Sequence, residues 1–147
     1  MKDYTPAGVS ENAVAVVLDN DSGIQQHLGF GIEVLGAQGS RITLDIGAIH
    51  LNRQGVVHGG IFSLLLDVAM GYACSGQFSD DAQTPAITLS MTINYLAPVS
   101  SGRVIATGRV TGGGHKILFA EAQLKTEDGV LVATSTGTMK RGEKGQA

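Results

Sequence analysis

Tryptophan is absent from this 147-residue chain, and Phe and Tyr bring the aromatic share to only 5%. Any core must therefore be packed from aliphatic side chains rather than from large rings. Cysteine occurs once, at Cys74, which excludes an internal disulfide. It lies in the apolar stretch Met70-Gly71-Tyr72-Ala73-Cys74, where a buried, inert thiol is expected rather than a nucleophile. Charged residues are sparse at 16% against 43% hydrophobic, a balance that excludes a disordered polymer. No run reaches the ~20 apolar residues of a membrane span. The longest, Ile61 to Ala73, has Asp67 in its middle. The start, Met1 to Pro6, lacks the apolar region of a secretory signal, so a reducing, cytoplasmic compartment is expected. His27, His50, His58 and His115 show no metal-ligand spacing and have no cysteine cluster beside them, so no metal is expected. His27 and His50 read as loop residues.

What is abundant is glycine, 21 residues, against an average usage of about 7%. That suggests tight turns and close approaches of backbone or ligand. The net charge of −3 is unevenly placed: −6 over residues 1–102 and +3 over residues 103–147. The basic set Arg103, Arg109, Lys116, Lys125, Lys140, Arg141 and Lys144 reads equally well as a solvated strand edge with a polar tail or as a landing area for a phosphorylated ligand. It is too sparse, and too poor in interleaved aromatics, for nucleic acid to be the expected partner.

One domain is expected over residues 1–147, with frayed termini at about 1–9 and 141–147. Ser10 is placed to cap a short helix through Ala13, Val14, Val16, Val17 and Leu18. Gly23 to Gly29 reads as a turn of helix or a loop, and Gly31 to Gly36 as a strand. From Arg41 to Ile46 the alternation of Ile42, Leu44 and Ile46 with Arg41, Thr43 and Asp45 predicts a half-buried antiparallel strand. An irregular linker, 48–57, leads to the one long helix, His58 to about Gln77. Apolar residues on nearly every side of it predict a buried helix. Strands follow over Ile87–Tyr95, Arg103–Thr111, Lys116–Thr126 and Val130–Lys140, the last two joined at Asp128-Gly129. An antiparallel sheet wrapped over one buried helix, an α+β domain, satisfies this order.

Asp67 is the most informative residue. Along the chain it sits between Leu66 and Val68, and one helical turn away its neighbours are Ser63, Leu64, Met70 and Gly71. Burying a carboxylate costs several kcal/mol (roughly) unless it is paired, and the helix holds no Lys or Arg. Asp67 is thus paired with a distant cation, exposed at a bend, or kept in an apolar pocket as a base or nucleophile. His58-Gly59-Gly60 opens the same helix. First-turn N–H groups lack intrahelical acceptors, and together with the positive end of the helix dipole they are able to polarise a carbonyl. Asp67 lies about 12 Å along the axis from Gly59. One carbonyl carbon cannot touch both points on one helix, so a site using both must be shared between two chains.

The pattern Asn52-x-x-Gly55-x-x-His58-Gly59-Gly60 followed by Leu66-Asp67 resembles the hotdog-fold acyl-CoA thioesterases, of the phenylacetate-pathway and 4-hydroxybenzoyl-CoA thioesterase type. The resemblance covers about residues 28–140 and takes in Ile93-Asn94-Tyr95-Leu96-Ala97-Pro98 and Thr136-Gly137-Thr138. It implies a hotdog fold and hydrolysis of an aryl- or medium-chain acyl-CoA, with coenzyme A as part of the substrate and no cofactor. Asp67 would then activate water or attack the thioester carbon. The Gly59 N–H would bind the thioester oxygen, with Gly60 beside it. His58 and Asn52 would orient substrate, helix start or water, and Thr88 would assist the carboxylate. Arg103, Arg109, His115 and Lys116 become candidates for the coenzyme A phosphates, Lys116 foremost because it follows Gly112–Gly114. The resemblance further implies homodimers with two shared sites, paired into homotetramers. Many relatives carry Ser at position 88 or Glu at position 67. Two other readings stand beside it: a hydratase or dehydratase on the same fold using a His-carboxylate pair, and, in a different class, a non-catalytic acyl-CoA-binding or sensor module.

Overall fold

The computed structural model describes residues 16–19 and 22–144. Seven strands form one antiparallel sheet around a single long helix. In chain order they are β1 (Val16–Leu18), a short helix α1 (Gly23–Leu28), β2 (Gly31–Val34), β3 (Ser40–Asp45), the long helix α2 (Gly59–Phe78), β4 (Ala86–Tyr95), β5 (Arg103–Gly113), β6 (Ile117–Thr126) and β7 (Leu131–Arg141). The spatial order is β1-β2-β3-β5-β6-β7-β4, so β4, first after the helix, ends up as a sheet edge. This is the hotdog arrangement that the resemblance implied.

Alternation decides which side of each strand meets the helix. In β5 and β6, Val104, Ala106, Ala120, Ala122 and Leu124 are buried. Their odd-numbered neighbours, among them Arg103, Arg109 and Phe119, therefore lie on the outer face. The helix answers with Phe62, Leu65, Leu66, Ala69, Met70, Ala73 and Cys74, all buried at helical spacing. Each large side chain among them contributes about 1.5–3 kcal/mol by leaving water. Glycines leave room for the helix backbone against β5 and against the β2–β3 connection. A side chain at Gly108 would begin 2.3 Å from the Ala69 carbonyl oxygen, and one at Gly76 would begin 2.6 Å from that of Gly36. Ser40 adds a hydrogen bond from its hydroxyl to the Ala69 carbonyl at 2.6 Å. By length and composition α2 is apolar enough to cross a bilayer. These backbone contacts, with half of its apolar window buried, make it the core helix of this fold.

Three expectations are corrected. Val16–Leu18 is a strand, not the end of a helix: it pairs antiparallel with β2, Val16 opposite Val34 and Leu18 opposite Ile32. β-Branched side chains, stiff at χ1, fit a pleated surface better than a helix. The Ser10 cap and Ala13–Val14 fall outside the described residues, as do 1–9 and 145–147. Arg141 is not frayed, since it closes β7, its N–H donating to the Lys116 carbonyl at 2.8 Å. Its guanidinium stands 5.3 Å from the centre of the Phe78 ring. Finally, α2 is not buried all round. Ile61, Leu64, Val68 and Tyr72 are only partly covered, because the sheet wraps one side of the helix.

Candidate active site

Asp67 projects from the middle of α2, half-buried, toward the edge strand β4. Thr88 pairs in register with the fully buried Met139, which puts it on the inner side of the sheet. Its hydroxyl donates to Asp67 Oδ1 at 2.6 Å, the short distance expected for a bond to a charged oxygen. Among the described residues no Lys or Arg pairs with Asp67. The structure thus brings two of the sequence-predicted residues together, and the distant-cation alternative does not arise among them.

His58 is the N-cap of α2, with extended backbone (φ −60, ψ 133), and its Nδ1 accepts the Gly60 N–H at 2.9 Å. A neutral ring in that role carries its proton on Nε2. The His58 ring is thus bonded to the helix start. The Gly60 N–H is committed to this cap rather than offered to a ligand. The His58 carbonyl accepts from Ile61 N–H at 2.9 Å, and no acceptor for the Gly59 N–H is found among the described residues. A helix-start donor is thereby left open. Beside it lies a cavity of about 360 Å³ bounded by Val57, Gly59, Phe62, Tyr95, Leu96 and Pro98. Gly59 and Asp67 stand about 12 Å apart along the helix, as their spacing required.

Asn52 acts within its own loop: Oδ1 accepts from Gln54 N–H at 2.9 Å and Val56 N–H at 3.4 Å, closing the turn that holds Gly55 at φ +78. The structure does not bring it to Asp67 or Gly59 by side-chain contact. Arg103 and Arg109 lie on the outer face, away from Asp67, each bound to a carboxylate. Arg103 donates to Asp45 at 2.7 and 3.1 Å, a hydrogen-bonded pair that holds the Asp45 carboxyl below its ordinary range and raises the guanidinium. Arg109 donates to Glu121 at 2.6 Å. His115 and Lys116 are exposed in the β5–β6 hairpin. Hydrogen bonding of Arg141 to Lys116, and pairing of Arg141 with Ala86, put Lys116 at the end of the sheet where β4 begins. Cys74 is buried, which pushes its thiol up to about 12, so it is inert at neutral pH.

Two residues near the site escaped sequence reasoning. His50, read as a loop residue, is 3% exposed; its Nδ1 accepts from Gly47 N–H at 2.9 Å and its Nε2 donates to the Leu28 carbonyl at 2.8 Å. Its own carbonyl accepts the His58 N–H at 2.9 Å, so it anchors the cap from beneath. Tyr95 donates its hydroxyl to the Gly59 carbonyl at 3.2 Å.

A family model described as the thioesterase superfamily matches residues 54–133, a span holding His58, Gly59, Asp67, Thr88 and Tyr95. The medium/long-chain acyl-CoA thioesterase YigI of Salmonella typhimurium is 30% identical over 96 residues, 58% of this chain and 62% of that one. The chain therefore matches less than two thirds of that relative's length. Among solved structures, a conserved protein of Pseudomonas aeruginosa is similar with 35% identity and a TM-score of 0.74, over 82% of this chain and 94% of that one. The phenylacetic acid degradation protein PaaI of Thermus thermophilus, solved as a point mutant, is similar with 26% identity and a TM-score of 0.68, over 82% and 99%.

Proposed function

The chain belongs to the thioesterase superfamily, and on that premise we propose that it is an acyl-CoA thioesterase acting on an aryl- or medium-chain acyl thioester. The observation that carries the proposal is the Asp67 carboxylate, set in an apolar helix without a cation among the described residues and aligned by the Thr88 hydroxyl at 2.6 Å. A carboxylate so placed is available for chemistry rather than spent on an ion pair.

Two routes use it. In one, Asp67 removes a proton from water, and the oxygen attacks the thioester carbon. In the other, Asp67 attacks directly, coenzyme A leaves as thiolate, and water hydrolyses the resulting mixed anhydride. In both, negative charge develops on the thioester oxygen, and the Gly59 N–H at the positive end of α2 stabilises it. The products are a carboxylate and the coenzyme A thiol. Lys116 and His115, exposed at the hairpin, are the proposed phosphate contacts. A cytoplasmic setting agrees with Cys74 being kept as a buried thiol.

If Gly59 and Asp67 act on one carbonyl, the roughly 12 Å between them supports a homodimer with shared sites. Edge strand β4 supports this reading, since it leaves a long row of unpaired backbone and exposes Ile87, Leu89 and Tyr95. The uncovered face of α2, with Ile61, Leu64 and Val68, lies next to it. The same reading pairs two dimers into a homotetramer. No observation favours a hydratase, which needs the His58 ring at the reacting carbons, because its Nδ1 is committed to Gly60. Asp67 itself counts against a non-catalytic acyl-CoA-binding module.

The test is release of free thiol from a panel of aryl- and alkyl-CoA esters, comparing wild type with Asp67→Asn. We expect turnover by the wild type and a loss of at least about a hundredfold in the variant. Equal turnover in the two would remove Asp67 from the mechanism.

A further inference from the structure

An N–H that is to hold an oxyanion helps only if its direction is set before charge develops. Two consecutive glycines at a helix start are poorly suited to this, since glycine has the widest backbone freedom of any residue. The structure supplies a remedy on both sides of one peptide. The carbonyl of the Gly59–Gly60 peptide accepts from the Tyr95 hydroxyl at 3.2 Å, and its N–H donates to His58 Nδ1 at 2.9 Å. The peptide before it is held by Ile61 N–H on the His58 carbonyl at 2.9 Å, which leaves the Gly59 N–H as its open end. Tyr95 is brought to this place by the sheet, being the last residue of β4 and paired with the buried Ala133. Its ring stands 3.4 Å from where a side chain on Gly59 would begin, so ring and helix start are in van der Waals reach.

We infer that Tyr95 is a positioning residue: with His58 it clamps the Gly59–Gly60 peptide at its two polar ends and thereby aims the Gly59 N–H. This rests on the reading of that N–H as the oxyanion donor. Tyr95 touches the reacting oxygen only through the backbone it holds, so its effect belongs in kcat rather than in KM.

The test is Tyr95→Phe in the full chain, which deletes one oxygen and keeps the ring. With the acyl-CoA ester turned over fastest by the wild type, kcat should fall about tenfold, as for loss of one hydrogen bond, with KM held within about twofold. The melting temperature should be unchanged. In 1H–15N spectra the Gly60 amide should move while that of Ala73, in the helix interior, should not. Tyr95→Leu, which also removes the pocket wall, should raise KM as well. An unchanged kcat in Tyr95→Phe overturns the inference. So does a loss confined to KM, which would make Tyr95 a wall alone, or a fall in melting temperature that accounts for the lost activity. Should the wild type hydrolyse no acyl-CoA ester, the thioesterase reading fails instead, and the spectra still decide the clamp: an unmoved Gly60 amide overturns it.

Discussion

The oxygens of Thr88 and Asp67 lie 2.6 Å apart, and only one of them is able to donate. The bond leaves the second carboxylate oxygen to meet water or substrate, and it fixes the plane of the carboxylate. Thr88→Val keeps the shape and deletes the donor. Hydrogen bonds to charged groups contribute about 1.5–3 kcal/mol, so kcat should drop roughly ten- to a hundredfold. Thr88→Ser, which keeps the hydroxyl, should retain most of the activity. Steady-state kinetics of the two variants separate hydroxyl chemistry from packing, and equal losses in both would deny the hydroxyl its role. Asp67 and His58-Gly59 were legible in the sequence because each breaks a local pattern: a charge inside an apolar run, two glycines opening a helix. Tyr95 and His50 were not. Their partners lie 36 and 22 residues away in the chain, and only the register of β4 and the docking of α1 bring them close. Nor was it legible that Arg103 and Arg109 would be occupied by Asp45 and Glu121, since those pairs form across strands.

At the scale of elements, what matters is how deeply α2 lies in the sheet, since that depth sets where Asp67 meets β4. Gly108 is decisive, because a methyl group there would begin 2.3 Å from the Ala69 carbonyl oxygen, and backbone cannot step aside as a flexible side chain does. Gly108→Ala should destabilise the fold by about 2–3 kcal/mol and lower the melting temperature by roughly 5–10 °C. Gly112, in the same strand with nothing within 4 Å, is the control, and Gly112→Ala should leave the melting temperature in place. Thermal unfolding of both decides the point, and similar melting temperatures would show that the helix does not press on the sheet there. The long strands and α2 were read within one or two residues because each spans enough turns or alternations to declare its period. β1, three residues long, is too short to show alternation, and a run of valines beside alanines was open to a helical reading. The burial of only one side of α2 was hidden for a different reason: an apolar helix carries no mark of which face its own sheet will cover.

At the scale of the whole molecule, the proposed shared site would join its two halves along β4. Thr88, beside Asp67, stands near the start of the strand, and Tyr95, beside Gly59, closes it. If two copies of this edge pair antiparallel about its middle, Thr88 of one chain falls opposite the region of Tyr95 in the other. Each Asp67 then looks toward the other chain's helix start, and the exposed Ile87 and Leu89 are covered. This arrangement predicts complementation between two inactive chains. Gly59→Pro deletes the proposed oxyanion donor at the first helical position, where proline is well tolerated and the extended His58 before it is compatible. Asp67→Asn deletes the carboxylate. Co-expressed in equal amounts, the two variants would form about half mixed dimers, each with one site carrying both lesions and one carrying neither. Roughly a quarter of the wild-type rate should return, although each variant alone is inactive. The rate of thiol release from the purified mixture measures this directly. A mixture as inactive as its parts, with mixed dimers verified by differential tags, would mean that each site is built from a single chain.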